Sequence, residues 1–299
     1  MQLEVINQKA ISSPTNFIKE SEISFDKKLE EISLNMSGNR KMILLAGPSS
    51  SGKTTTAKKL SQIFKKNSKN TLVISLDDFY KNREEIPKDH KGEQDFETID
   101  ALDLDFLKTA LNSIINLKPA NVPIFDFTKG ARSTSFTTVL PDKDDIIIVE
   151  GLHALNPKIT SLVPDESIYK LYISVETGIK NNSKTLFTGR QIRFIRRMLR
   201  DFRTRSANVD LTFNMWKSVR EGEDKYLCPF KDTADEHINS FHPYEICIYK
   251  NRAEQMLNEY KNTNKNYNSV RTLLFGLNLC EYIDEGLVPG DSLLKEFIG

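Results

Sequence analysis

Residues Gly47–Thr54 read GPSSSGKT and fit the pattern G-x-x-x-x-G-K-[ST]. The apolar run MILLA (42–46) precedes them and a helical pattern follows. Strand, glycine-rich turn and helix in that order make a phosphate cradle. Glycines allow backbone angles that aim several N–H groups at one point, and the helix start adds the positive end of its dipole. The expected triphosphate-binding set is therefore Gly47, Ser49, Ser50, Ser51, Gly52, Lys53, Thr54 and the adjoining Thr55. Lys53 can carry charge to the β- and γ-phosphates, and the Thr54 hydroxyl can ligate Mg²⁺. By itself such a loop implies only a nucleoside triphosphate, since GTPases, motor ATPases and small-molecule kinases all use one. The guanine-reading Asn-Lys-x-Asp of GTPases is missing from its place after a strand.

Two further acidic clusters stand where apolar runs end. VISLDDFY closes on Asp77 and Asp78, and IIIVEG on Glu150. In an open α/β sheet ligands bind beyond the C-terminal strand ends. Carboxylates there can hold Mg²⁺, and one can take a proton from an attacking hydroxyl. The competing reading is that Asp77 or Asp78 only caps the next helix. A third cluster is GRQIRFIRRMLRDFRTR (189–205), with seven arginines. On a helical wheel Ile192, Ile195, Leu199 and Phe202 form one arc, and Arg193, Arg197 and Arg200 the next, with Arg196 between. An apolar strip would fix the helix and leave the basic strip facing a cleft, as a lid over phosphates. A solvated face and a nucleic-acid surface are the rivals.

The elements that must position these groups follow from periodicity. Runs at 42–46, 71–76, 146–149 and 169–174 read as strands, with a weaker fifth at 245–249. The first and third are continuously apolar, as in strands covered on both faces. Helical spacing links Ala57, Leu60, Ile63 and Phe64, and again Leu104, Leu107, Leu111 and Ile114. Strands alternating with helices predict an α/β fold, a parallel sheet of about five strands sandwiched by helices. VPIFDFTKGARSTSFTTVL (122–140) reads as an inserted hairpin turning at Gly130. Residues 1–39 look like a polar N-terminal extension, with a helix from Ser24 to Leu34 leading into the core. A P-loop domain over 40–260, with its lid at 186–240, and a helical C-terminal extension (261–299) packed upon it complete the expected layout.

The 299 residues carry a net charge of +1 and are 38% apolar. So even a balance offers no global attraction for nucleic acid or an acidic membrane. The three cysteines and four histidines lack metal-ligand spacing. No apolar run nears the roughly 20 residues of a membrane span. The N-terminus lacks the basic start and apolar stretch of a secretion signal, so a cytoplasmic protein is expected.

The segments GPSSSGKTT, ISLDDFY, DFETIDALDL, PIFDFTKGAR, IIIVEGLHALNP and RFIRRMLRD resemble, in order and spacing, the uridine kinase branch of the P-loop kinases. That branch is related to phosphoribulokinase and one type of pantothenate kinase. MWKSVREGEDKYLCPF and PGDSLLKEFIG extend the likeness to the kinase half of longer uridine-kinase-like proteins. Those carry a region similar to part of threonyl-tRNA synthetase, so this chain is expected to be the kinase module alone. The even charge and the lack of a long apolar run point to no membrane and no nucleic-acid partner. The resemblance implies Mg²⁺ and ATP and a small-molecule acceptor such as a nucleoside. It leaves a homo-oligomer open. It implies that Asp77 activates the acceptor hydroxyl, with Lys53, Arg193 and Arg197 completing the catalytic set and Arg200 on ATP. Thr54, Asp77 and Glu150 match the metal's surroundings. Glu97 falls where the family grips the ribose hydroxyls. Asp78, Tyr80, Phe96, Phe125, Phe127 and Arg205 would line the acceptor. Three positions depart from the pyrimidine kinases: Gly130 replaces a histidine, Phe125 a tyrosine and Ala207 an arginine. The base is thus not implied. Kinases of a sugar phosphate or pantothenate, and a non-catalytic nucleotide-binding module, stay as alternatives.

Overall fold

The structure is a computed structural model, and it describes residues 1–36, 40–89, 92–126, 129–205, 207–260 and 266–299. In chain order the elements begin with α1 (Leu3–Ser12), α2 (Pro14–Asn35), β1 (Met42–Ala46), α3 (Lys53–Lys66) and β2 (Thr71–Ser75). Next come α4 (Leu104–Ile115), β3 (Ala120–Asp126), β4 (Ala131–Val139), β5 (Ile146–Gly151), the short α5 (Pro157–Thr160) and β6 (Ile168–Ser174). Then follow β7 (Ile179–Asn181), β8 (Lys184–Phe187), α6 (Gly189–Arg205), α7 (Val209–Tyr226) and β9 (Glu236–Asn239). Helices α8 (Glu245–Glu259), α9 (Tyr267–Asn278) and α10 (Lys295–Ile298) close the chain.

Five strands form a parallel sheet in the order β2-β5-β1-β6-β9. β1 and β5 are buried at every position, which is why their sequences are apolar without alternation. Successive β1 residues feed opposite cores: Ile43 and Leu45 one, Met42, Leu44 and Ala46 the other. β3 and β4 pair as the expected antiparallel hairpin, and β7 and β8 form a second, smaller one.

The weak fifth strand at 245–249 is a correction. Those residues open α8, and the edge strand is Glu236–Asn239. Glu245, Ile246, Cys247, Ile248 and Tyr249 are all buried, and a helix start buried all round has no period to betray it. β9, EHIN, is short and polar because it lies at a sheet edge.

The first 36 residues are no loose polar appendage. Ile6, Phe17, Leu29 and Ile32 are buried in the same core as Ile43 of β1 and Leu60 of α3. Their apolar stripe is narrow, so average composition hides it. Val270, Leu273, Leu293 and Phe297 from the chain's end join that core too. Leu29→Ala is expected to cost about 2–5 kcal/mol by denaturant unfolding, and Leu34→Ala, on the exposed side of α2, under about 0.5 kcal/mol. Equal, small losses at both sites would contradict the shared core.

Candidate active site

Strand register brings the chemistry together. Glu150 of β5 lies beside Leu45 of β1 on one side and Ser75 of β2 on the other. The phosphate loop leaves β1 at Gly47 and the Asp77 turn leaves β2. Glu150 thus stands between the two.

The loop is built as a nest. Ser50 (φ 58°) and Gly52 (φ 89°) are left-handed, which turns N–H groups inward. The first-turn amides of α3 have no acceptor within the helix. A Cβ at Gly47 would lie 2.3 Å from the Ile173 carbonyl oxygen, so no larger residue fits there. The Lys53 ammonium donates to the Pro48 carbonyl at 3.3 Å, folded back over the loop.

The arginine helix does not stand off as an open lid. Arg193 is buried and bidentate with Glu223 (2.7 and 2.8 Å), and it also donates to the Ser49 carbonyl at 2.9 Å. Ser49 N–H donates to the same Glu223 at 3.0 Å. Arg196, fully buried, pairs with Glu245 and reaches the Ser50 carbonyl. Arg197 donates to Ser49 Oγ at 2.8 Å and pairs with Asp201. The helix therefore props the loop from outside. Arg193, expected at the transferred phosphate, is committed to the loop's backbone, and the Ser49 amide, expected in the cradle, is taken by Glu223. Phe202, expected on the buried arc, is 58% exposed. Arg200 and Arg205 gather with Arg197 on the buried Asp201 carboxylate.

Asp77 is half-buried, and its charge bears on Glu150, Glu97, Tyr80 and Arg205. Burial pushes the Glu150 carboxyl up to about 7; Lys53 opposes this and Asp77 reinforces it. Thr54 and Ser75 hydroxyls each donate to Glu150 Oε1 at 3.0 Å. Hydroxyl and carboxylate oxygens are the donors Mg²⁺ takes. A buried carboxyl short of positive charge fits a cation there. Among the described residues, no three His, Cys, Asp or Glu side chains could hold a metal by themselves.

Burial also pushes Glu97 up to about 7, with Arg197 opposing and Glu223, Asp77 and Asp95 reinforcing. α7 closes over it: a Cβ at Gly222 would lie 2.3 Å from Glu97 Cβ. Tyr80 donates to the Phe96 carbonyl at 3.0 Å and its ring tilts against buried Phe125. Phe96 is exposed, and Phe127 lies outside the described residues. Asp78 accepts the Phe125 N–H at 3.4 Å, so it ties the hairpin to the turn. Arg132 of β4 strengthens that tie by donating to the Phe79 and Tyr80 carbonyls and to Asp103. Gly130 occupies the hairpin turn with φ 64°. His153 is buried beside the Tyr226 ring, and burial lowers it to about 4, so it is neutral.

The family model of the phosphoribulokinase / uridine kinase family matches residues 42–246, more than half of the chain. The chain belongs to the phosphoribulokinase / uridine kinase family. Among curated relatives, the uridine kinase of Lactobacillus helveticus (strain DPC 4571) is 30% identical over 196 residues, 65% of this chain and 83% of that protein. That of Bacillus subtilis (strain 168) is 29% identical over 201 residues, 67% and 86%. A solved structure of a possible uridine kinase from Bacillus stearothermophilus aligns at 22% identity over 49% of this chain and 79% of its own, with a TM-score of 0.40, and adds no weight. Membership of this kinase family makes the chain a phosphotransferase and implies ATP as donor. No described helix is long and apolar enough to cross a membrane.

Glu223, Asp201 and Glu245 had no role assigned from sequence. A signal existed for Glu223: it continues the stripe Thr212, Trp216, Val219 on the buried side of α7, where an acid needs a reason.

Arg193→Ala leaves Glu223 buried without its partner and is expected to cost about 3–5 kcal/mol in denaturant unfolding. Arg190→Ala, on an exposed pair with Asp224, should cost under about 1 kcal/mol. Folded Glu97 keeps its proton up to about pH 7, above the unfolded carboxyl. Its stabilising contribution is thus complete below the ordinary carboxylate range and is lost as pH rises through about 7. Glu97→Gln, which mimics the protonated form, should raise Tm near pH 8 and leave it almost unchanged near pH 4. A Tm difference independent of pH would count against this.

Proposed function

We propose that the protein transfers the γ-phosphoryl group of ATP to the 5′-hydroxyl of a nucleoside. The observation that carries this reading is the placement of the Asp77 turn and the phosphate loop on either side of Glu150, with half-buried Glu97 on the acceptor side. The uridine kinase relatives support it.

In this reading the triphosphate lies on the loop amides, with Lys53 at its far end. Asp77 takes the proton of the acceptor hydroxyl as that oxygen attacks the γ-phosphorus. The bond from phosphorus to the bridging oxygen breaks, and ADP leaves. Thr54, Glu150 and Asp77 would hold Mg²⁺, which offsets charge on the β- and γ-phosphates when bound. Arg197, joined to the loop through Ser49, and Arg205, whose charge reaches Asp77, would offset charge on the transferred group. Arg193 holds the loop in position instead. Glu97 accepts hydrogen bonds from the ribose hydroxyls, while Tyr80, Phe96 and Phe125 supply apolar surface for the base. Positioning and electrostatics carry most of the rate.

Asp77→Asn should bind ATP as the natural chain does in calorimetry, yet lose about 10²–10⁴ in turnover. Near-normal turnover would remove Asp77 from this role. A panel of nucleosides, sugar phosphates and pantothenate, read by mass spectrometry of the products, tests the acceptor. Phosphorylation of only a non-nucleoside alcohol would overturn the nucleoside reading.

A further inference from the structure

The segment 292–297 lies against the phosphate loop and the start of α3. Leu293 is fully buried, and its Cδ1 would lie 2.5 Å from a Cβ at Gly52, the loop's second glycine. Phe297, also fully buried, sits under the Arg196 guanidinium at 5.1 Å, and that arginine supports the Ser50 carbonyl. Between them, Glu296 Oε2 accepts the Thr55 hydroxyl at 2.7 Å. The segment is well anchored: Ser292 Oγ donates to buried Glu22, Arg203 donates to the Glu296 carbonyl and Arg252 to the Ile298 carbonyl.

Thr55 stands in the first turn of α3, whose own first turn contains no acidic residue. Glu296 brings a carboxylate to that turn from elsewhere in the chain. Arg196 lies near enough to feel its charge, but that guanidinium is already paired with Glu245. A bound triphosphate would bring a second anion to the same helix end and would compete for the same hydroxyl, which has one proton to donate.

We propose that Glu296 is a determinant of donor affinity: the C-terminal turn presents a competing carboxylate to the phosphate loop and weakens the binding of ATP. The effect is on the donor, because among the described residues the tail packs on the loop's second glycine and bonds to α3. It rests on the reading of the loop as the ATP site.

Glu296→Gln keeps the shape and an acceptor for Thr55 while removing the charge. ATP dissociation constants from calorimetry, and KM for ATP against KM for the acceptor, are compared with those of the natural chain. Glu296→Gln and Glu296→Ala should both tighten ATP by about three- to tenfold, with kcat and the acceptor KM unchanged. In about 1 M salt the gain should collapse, as screening removes a charge effect but not a packing effect. A natural chain that binds neither ATP nor inorganic triphosphate would overturn the donor site and this proposal with it. A natural chain that binds ATP, with Glu296→Gln binding it equally or more weakly, would overturn the proposal alone.

Discussion

The phosphate loop is gripped by the groups it does not offer to a ligand. Its Ser49 and Ser50 carbonyls and the Ser49 hydroxyl are held by Arg193, Arg196 and Arg197 of one helix. A loop with a serine at φ 58° is strained, and such a conformation persists only where its surroundings over-determine it. Buried arginines are costly unless every charge is paired, which explains the acids on neighbouring elements: Glu223 on α7 and Glu245 on α8. The basic composition of α6 is therefore largely structural, and so is the burial of α7 and α8 against it.

The second constraint is charge. Asp77 bears on both Glu150 and Glu97, and burial raises these two well above the ordinary carboxylate range. Lys53 and Arg197 meet part of that excess. Carboxyls poised in this way gain from a cation and from hydroxyl donors.

The hairpin and the Asp77 turn behave as one piece. Asp78 holds the Phe125 N–H, and Arg132 holds two carbonyls of the segment after Asp77. The hairpin and the turn are thereby cross-linked by polar contacts across more than forty residues of sequence. Gly130 takes the left-handed turn that lets the hairpin fold back beside Arg83, so its place in the pattern also has a backbone reason.

The cradle, the strand-end carboxylates, the core strands β1 and β5 and the hairpin were legible in the residues because each rests on local rules: glycine conformations, helix ends, two-sided burial and turn chemistry. The strand at 245–249 was misread because burial on all sides erases periodicity. The N-terminal helices looked like an appendage because a narrow apolar stripe in a polar segment leaves no mark on composition. The arginines' number and period were visible, but not which of them are paired, since Glu223 and Glu245 lie 30 and 49 residues away. Local sequence determined that this chain has a phosphate cradle with carboxylates beyond its strands. Only the tertiary structure decided which charges hold the loop, because partner choice depends on distances that chain order does not set.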